Sequence, residues 1–237
     1  MRVNDRYVSF YYEMDQDRGT VEIDPARTAL LVVDLQRVFL TRPDSSGATE
    51  EMREYNRRWD WYFDTMENTV IPNNQRILKA FRQYHMDVFF AMIQCRTRDG
   101  RDRSLDHKAT GFNELLLPPG SRDAEIVPEV APLPHEIVLT KTTDSAVTGT
   151  TLRLMLHNMD IDTVVVTGVY TDQCVSGTVR SLADESFKVW LIEDACRAAT
   201  EEIQNHELAV LNNIYCHVIS TEELLEALRG GKEGVRQ

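Results

Sequence analysis

The chain has 237 residues, of which 42% are hydrophobic and 27% charged, the proportions of an ordinary soluble globular protein. Global disorder, a collagen-like fibre and a membrane bundle are excluded. With 26 basic against 38 acidic residues the formal charge is −12, which disfavours nucleic acid or an anionic membrane as a partner.

A chain of this length buries roughly 70% of its unfolded surface, so it requires neither disulfides nor a structural metal. The opening MRVNDRYVSFYYEMDQDRG lacks the apolar core, about 7–15 residues, of a secretory signal. No apolar run approaches the roughly 20 residues of a membrane span. A cytoplasmic protein is expected. Cys95, Cys174, Cys196 and Cys216 form no CxxC pair and fit no zinc framework. Reduced thiols are expected, of which one or two at most do chemistry.

In chain order, apolar runs of strand length lie at 28–34 (TALLVVD), 87–94 (DVFFAMIQ), 136–141 (EIVLTK), 163–168 (TVVVTG), 188–193 (KVWLIE) and 215–220 (YCHVIS). They are continuous rather than alternating, as strands buried on both faces are. Helical patterns lie between most of them, at 73–85 (Ile77, Leu78, Phe81), 148–158 (Leu152, Leu154, Met155, Leu156), 174–185 (Val175, Val179, Leu182) and 201–212 (Ile203, Leu208, Val210, Leu211). A last helix opens on the capping box Ser220-Thr-Glu-Glu223 and runs to about Arg229. This alternation predicts a three-layer α-β-α fold around a six-stranded, mostly parallel, doubly wound sheet. One domain over 1–237 is expected, with its core at about 24–228, an N-terminal extension at 1–23 and a frayed tail at 230–237. Two segments interrupt the pattern. Residues 41–72 read as a polar, aromatic-rich insertion with Trp59, Trp61, Tyr62 and Phe63. Residues 95–135 read as a long connection, basic at first and proline-rich at its end, of the kind that forms lids and binding loops.

In open parallel sheets ligands bind beyond the carboxyl ends of the strands, where strand order reverses. Asp34 ends the first strand and Lys141 the third, and 168–174 joins the fourth to its helix. A cysteine at a helix start, as Cys174 is predicted to be, has its thiolate stabilised and its pKa lowered by backbone N–H groups and the dipole. The same N–H groups would serve an oxyanion. A carboxylate takes and returns the proton, and an ammonium steadies the anions. Position alone leaves plainer readings open: a packed cysteine, a turn-forming aspartate and a solvated lysine.

The segments ALLVVDLQRVFL, VLTKTTDSAVTGTTL and VTGVYTDQCVSGTVRSLADESFKVWLIEDACRA resemble, in order and spacing, the isochorismatase-like cysteine hydrolases. That superfamily includes nicotinamidase, N-carbamoylsarcosine amidase, ureidoacrylate amidohydrolase, and the biuret and triuret hydrolases. The resemblance covers roughly residues 24–228. It implies a catalytic triad of Asp34, Lys141 and Cys174, a non-proline cis peptide at Val169–Tyr170, and an oxyanion held by the Tyr170 and Cys174 N–H groups. Nicotinamidases carry an Asp-x-His and a further histidine after the second strand, which bind a metal. Here 94–107 (QCRTRDGRDRSLDH) has one histidine and no such pair, so no metal or other cofactor is expected and nicotinamide is disfavoured. True isochorismatases resemble a site without the cysteine; Cys174 therefore favours C–N hydrolysis.

The resemblance thus implies an amidohydrolase that cleaves a small carboxamide or ureido compound (N-carbamoyl, biuret- or triuret-like) through an acyl- or carbamoyl-Cys174. A vinyl-ether hydrolase and a catalytically silent binding protein are the alternatives. A small-molecule substrate and a homo-oligomer, dimer or tetramer, are expected. Substrate contacts are assigned to Gln36, Phe39, Arg98, Tyr170, Gln173 and Arg197. Arg98 stands for a loop with Arg96, Arg101 and Arg103, an anion-binding lid or else a solvated loop paired with Asp99, Asp102 and Asp106. Arg197 lies where a related N-carbamoyl amidase places a carboxylate-binding arginine. Trp59, Trp61 and Tyr62 read as core or subunit interface. His107 reads as a surface residue or else as part of the lid, and Cys95, Cys196 and Cys216 as buried small hydrophobes.

Overall fold

The computed structural model describes residues 6–14, 22–111 and 114–230. Six strands, β1 (Thr28–Val33), β2 (Asp87–Ile93), β3 (Ile137–Lys141), β4 (Thr163–Val169), β5 (Lys188–Arg197) and β6 (His217–Ile219), form one sheet in the order β3-β2-β1-β4-β5-β6. Every neighbouring pair is parallel. The central strands β1 and β4 are buried at every position, which is why their sequences show no polar alternation. The period of two survives in a different form. Ala29, Leu31 and Val33 face one apolar layer, while Leu30 and Val32 face the other.

The first layer packs α5 (Leu152–Asn158), α6 (Ser176–Asp184) and α7 (Glu201–Leu211) on the sheet through Leu152, Leu156, Val179, Leu182, Leu208 and Leu211. The second packs the helices before β2 together with α8 (Thr221–Gly230), through Tyr62, Ile77, Leu78, Phe81, Leu224 and Leu228. Strand order reverses between β1 and β4, so the crevice that binds ligands in such sheets opens at their carboxyl ends.

Several boundaries differ from expectation for identifiable reasons. A short α1 (Arg37–Leu40) precedes the aromatic insertion, which is mostly helical: α2 (Glu50–Arg57) and α3 (Asp60–Thr65), with α3 continuing through a wide turn at Met66–Val70 into α4 (Ile71–Gln83). Helix α2 buries no residue, and its two apolar side chains, Met52 and Tyr55, are exposed. Its stabilisation comes from the Thr49 cap on Met52 N–H (3.2 Å) and ion pairs such as Arg57–Glu50 (2.9 Å). Helix α5 begins four residues later than its pattern, because Gly149 takes a turn conformation at φ +75° and Thr150 Oγ1 donates to Ala146 O at 2.6 Å. Leu154 and Ile203, read as core, are exposed. The α8 capping box is reciprocal: Ser220 N–H donates to Glu223 Oε2 (2.7 Å) and Glu223 N–H to Ser220 Oγ (3.2 Å).

The 95–135 connection is tied across the end of β1. Arg37 N–H donates to Glu125 O (2.9 Å) and Val127 N–H to Leu35 O (3.0 Å). Among the described residues no helix is long and apolar enough to cross a membrane. The tail beyond Gly230 and much of the N-terminal extension lie outside the described residues.

Candidate active site

Strand β1 delivers Asp34 and β4 delivers Gly168 side by side, Val33 pairing with Gly168. Asp34 adopts φ +52° directly after the strand, with its N–H donating to Ala91 O at 2.9 Å. Gly168 stands at φ +118°. A Cβ there would lie 1.9 Å from Val33 O, so only glycine lets β4 approach β1 this closely. The next peptide, Val169–Tyr170, is cis. The chain then passes through a wide turn, Thr171–Val175, that carries Cys174 into α6. Lys141, the last residue of β3, reaches in from the other side.

Lys141 Nζ lies 2.7 Å from Asp34 Oδ2 and donates to Cys174 Sγ at 3.2 Å. Exposure is 1% for Asp34, 0% for Lys141 and 5% for Cys174, so water screens these charges very little. Burial pushes the Asp34 carboxyl up, and Lys141 opposes it. Burial pulls the Lys141 ammonium down, but Asp34 and then Cys174 carry it above its ordinary value. The helix-start argument predicts a lowered thiol pKa at Cys174, and the structure reverses that expectation. Burial first, and then the Asp34 carboxylate, push the thiol well above its ordinary range, and Lys141 only partly compensates. Lys141 is the cation in contact with both groups, and it does not offset the burial of the thiol. The resting site is an Asp34–Lys141 ion pair with a neutral thiol.

The other expected contacts divide. Gln36 is fully buried and its amide is spent on backbone: Nε2 donates to Ile93 O (3.0 Å) and Ala124 O (2.7 Å), and Oε1 accepts from Ile93 N–H (2.8 Å). It ties the ends of β1 and β2 to the long connection and has no group left for substrate. Phe39 meets Tyr170 edge-on at 5.4 Å, and Trp59 and Tyr62 close the same aromatic cluster. Part of the aromatic insertion therefore walls the nucleophile's turn. Gln173 is exposed. Arg197 pairs in register with Val169, and its guanidinium sits 4.3 Å over the Trp61 ring. Arg98 is exposed, and the loop arginine that reaches the site is Arg103. Arg103 is 3% exposed, none of its three guanidinium nitrogens has a hydrogen-bond partner, and the charges that act on it are Asp34, Cys174, Cys95 and Asp144. All four cysteines are buried free thiols.

Two further residues were not singled out from sequence as site residues. Asp144 Oδ1 accepts from Cys174 Sγ at 3.5 Å and lies 3.2 Å from His107 Nε2. His107 is buried rather than on the surface, and its Nδ1 lies 2.8 Å from Ser104 Oγ. The available signal is the spacing of Asp144, three residues beyond Lys141, together with the Arg103-Ser-Leu-Asp-His107 run. Among the described residues no group of three or more His, Cys, Asp or Glu side chains is arranged to hold a metal ion.

Residues 28–223 match the isochorismatase domain. N-carbamoylsarcosine amidase of Arthrobacter sp is 30% identical over 163 residues, covering 68% of this chain and 61% of the amidase, less than two thirds of its length. An uncharacterized isochorismatase family protein of Escherichia coli O157:H7 is 38% identical over 221 residues, 88% of this chain and 100% of that protein. Among solved structures, a cysteine hydrolase from Pseudomonas syringae pv. phaseolicola 1448A superposes with a TM-score of 0.73 at 22% identity, covering 90% of this chain and 97% of that one.

Proposed function

The chain belongs to the isochorismatase family, and from that premise we propose that it is a cysteine amidohydrolase. The observation that carries the reading is the buried Lys141 ammonium held between the Asp34 carboxylate and the Cys174 sulfur. A lysine side chain is rarely desolvated without a partner, and here its two partners are a base and a nucleophile.

In acylation, Asp34 takes the thiol proton as Sγ attacks the substrate carbonyl carbon. The carbonyl electron pair moves to oxygen, which the N–H groups of Tyr170 and Cys174 receive. The C–N bond then breaks, and the departing nitrogen takes the proton from Asp34. The raised thiol pKa fits this order. No thiolate accumulates at rest, and the negative charge passes directly from Asp34 to the oxyanion as the proton moves. Water then hydrolyses the acyl- or carbamoyl-Cys174 and the thiol is restored.

The substrate in this reading is a small carboxamide or ureide, of the N-carbamoyl, biuret or triuret kind. A relative named N-carbamoylsarcosine amidase supports the choice. So does Arg103, whose buried guanidinium has donors to spare for carbonyl or carboxylate oxygens. The test is ammonia release from a panel of nicotinamide, biuret, triuret, ureidoacrylate and N-carbamoyl amino acids, with Cys174→Ser in parallel. Release from a ureide that disappears in the variant is expected. Undiminished release by Cys174→Ser would overturn the mechanism.

A further inference from the structure

The nucleophile touches a second carboxylate that the acylation scheme does not use. Asp34 is buried and paired with Lys141 at 2.7 Å. Asp144 contacts the same sulfur at 3.5 Å, yet half of its side chain (50%) is exposed. The two carboxylates therefore differ in what they can reach. Of the two, Asp144 is the carboxylate open to a water that approaches Cys174 from solvent.

Asp144 is also held in place. His107 Nε2 lies 3.2 Å from its Oδ1, and His107 Nδ1 lies 2.8 Å from the Ser104 hydroxyl. With Ser104 donating to Nδ1, the Nε2–H is free to donate to the carboxylate. The loop that carries this histidine is itself fastened. Asp102 accepts from the Arg96 N–H (2.7 Å), the Thr97 N–H (3.2 Å) and the Thr97 hydroxyl (2.6 Å), and the Arg103 N–H donates to Gly100 O (3.0 Å). A buried histidine on a fastened loop and a carboxylate on the nucleophile form a dyad, and surface pairing does not account for it.

Resting on the cysteine-hydrolase reading above, we propose that Asp144 is the general base of deacylation, with His107 as its positioning residue. Water attacks the acyl carbon, a C–O bond forms, and the carbonyl electron pair moves to oxygen while a water proton passes to Asp144. As the tetrahedral adduct collapses, the C–S bond breaks and its electron pair stays on sulfur, which takes that proton back from Asp144. The 3.5 Å contact lets one carboxylate serve both the water and the leaving sulfur. The hydrogen bond from His107 holds the Asp144 carboxyl below its ordinary range, against half-burial; Cys174 and Lys141 act in the same direction, and Arg103 is the other cation facing it.

The test uses p-nitrophenyl acetate with the full-length enzyme. A burst of nitrophenolate reports acetylation of Cys174, and the following steady rate reports deacylation. In Asp144→Asn the burst persists and the steady rate falls about a hundredfold. The acetyl-enzyme accumulates in intact-mass spectra, and hydroxylamine, which attacks thioesters without a base, restores turnover. His107→Gln falls less and moves the acidic limb of the deacylation profile to higher pH, since the carboxyl it held down is released upward. Deacylation at the wild-type rate in both variants, or equal loss of burst and steady rate, would overturn the proposal. A wild-type enzyme without a burst, or a burst unchanged in Cys174→Ala, would instead bring down the cysteine reading on which it rests.

Discussion

Replacing Lys141 by methionine keeps most of the side-chain volume and removes the one ammonium in contact with Asp34. The ion pair has an N–O separation of 2.7 Å with both side chains 0% exposed. At an effective dielectric constant of about 20, that separation corresponds to about 6 kcal/mol of gross attraction. Much of it offsets the desolvation of the two charges, but removing one partner leaves the other buried and unpaired, which costs about 3–5 kcal/mol. The loss is pH-dependent with a definite sign. Without Lys141, burial acts on Asp34 with only the weaker opposition of the Cys174 and Ile93 hydrogen bonds and of Arg103, and it raises the folded pKa further above the unfolded carboxyl value. The folded state then binds the extra proton. Stability is retained below the unfolded carboxyl range and lost as pH rises through the folded pKa. Urea unfolding across a pH series therefore shows Lys141→Met close to wild type in acid and most deficient at neutral pH. The double variant Asp34→Asn/Lys141→Met recovers most of the difference. A neutral-pH deficit below about 1 kcal/mol, or one independent of pH, would refute the buried pair.

Gly168→Ala places a Cβ 1.9 Å from Val33 O at φ +118°. It forces β4 from β1 beside Asp34, and a loss above about 3 kcal/mol in chemical denaturation is expected, with activity lost alongside. Gln36→Leu orphans Ile93 N–H, Ile93 O and Ala124 O at a cost of about 1–3 kcal/mol each; the melting temperature falls, and KM in the refolded enzyme does not move if Gln36 is purely structural. Asp34→Asn removes a carboxylate that raises the Cys174 pKa. Thiolate absorbance, taken as the difference from Cys174→Ser, then develops at lower pH than in wild type, while turnover is lost for want of the base. Unchanged titration would show that Asp34 does not act on the sulfur.

The sheet was legible because its strands are buried on both faces and so read as unbroken apolar runs; TALLVVD and TVVVTG lie on the two strands that flank the crevice. Asp34, Lys141 and Cys174 lie at or just beyond the ends of such runs, but position left plainer readings open, and the resemblance to the cysteine hydrolases is what joined them into a triad. Other features depend on tertiary context. Helix α2 buries no residue and carries only two apolar side chains, Met52 and Tyr55, too few to stand out in a polar segment. The thiol pKa depends on burial and on a neighbour 140 residues away in sequence, which a local helix-start argument omits. Among four similar loop arginines, only the folded loop distinguishes exposed Arg98 from buried Arg103. Gln36 adjoins the site in sequence, yet three backbone hydrogen bonds exhaust it.

Arg103 separates what stabilises this protein from what serves its substrate. Its guanidinium is nearly fully buried with three nitrogens unpartnered, and each buried donor left without an acceptor costs about 1–3 kcal/mol. Against this stands attraction to Asp34 and Asp144, neither of which is hydrogen-bonded to it. Attraction across a gap is weaker than a paired contact, so the missing hydrogen bonds dominate. Arg103→Met is therefore expected to be at least as stable as wild type in urea. Its binding should change in the opposite direction. A substrate carboxylate supplies the absent acceptor, and a charge-assisted bond contributes about 1.5–3 kcal/mol, or roughly a 10- to 150-fold rise in KM when it is lost. N-carbamoyl amino acids should show that rise and neutral biuret should not. Arg103→Lys should not restore the loss, because an ammonium cannot present the two-pronged donor set. A destabilised Arg103→Met with KM unchanged for both substrates would make Arg103 a structural residue and leave the closed site without an anchor for an anionic substrate.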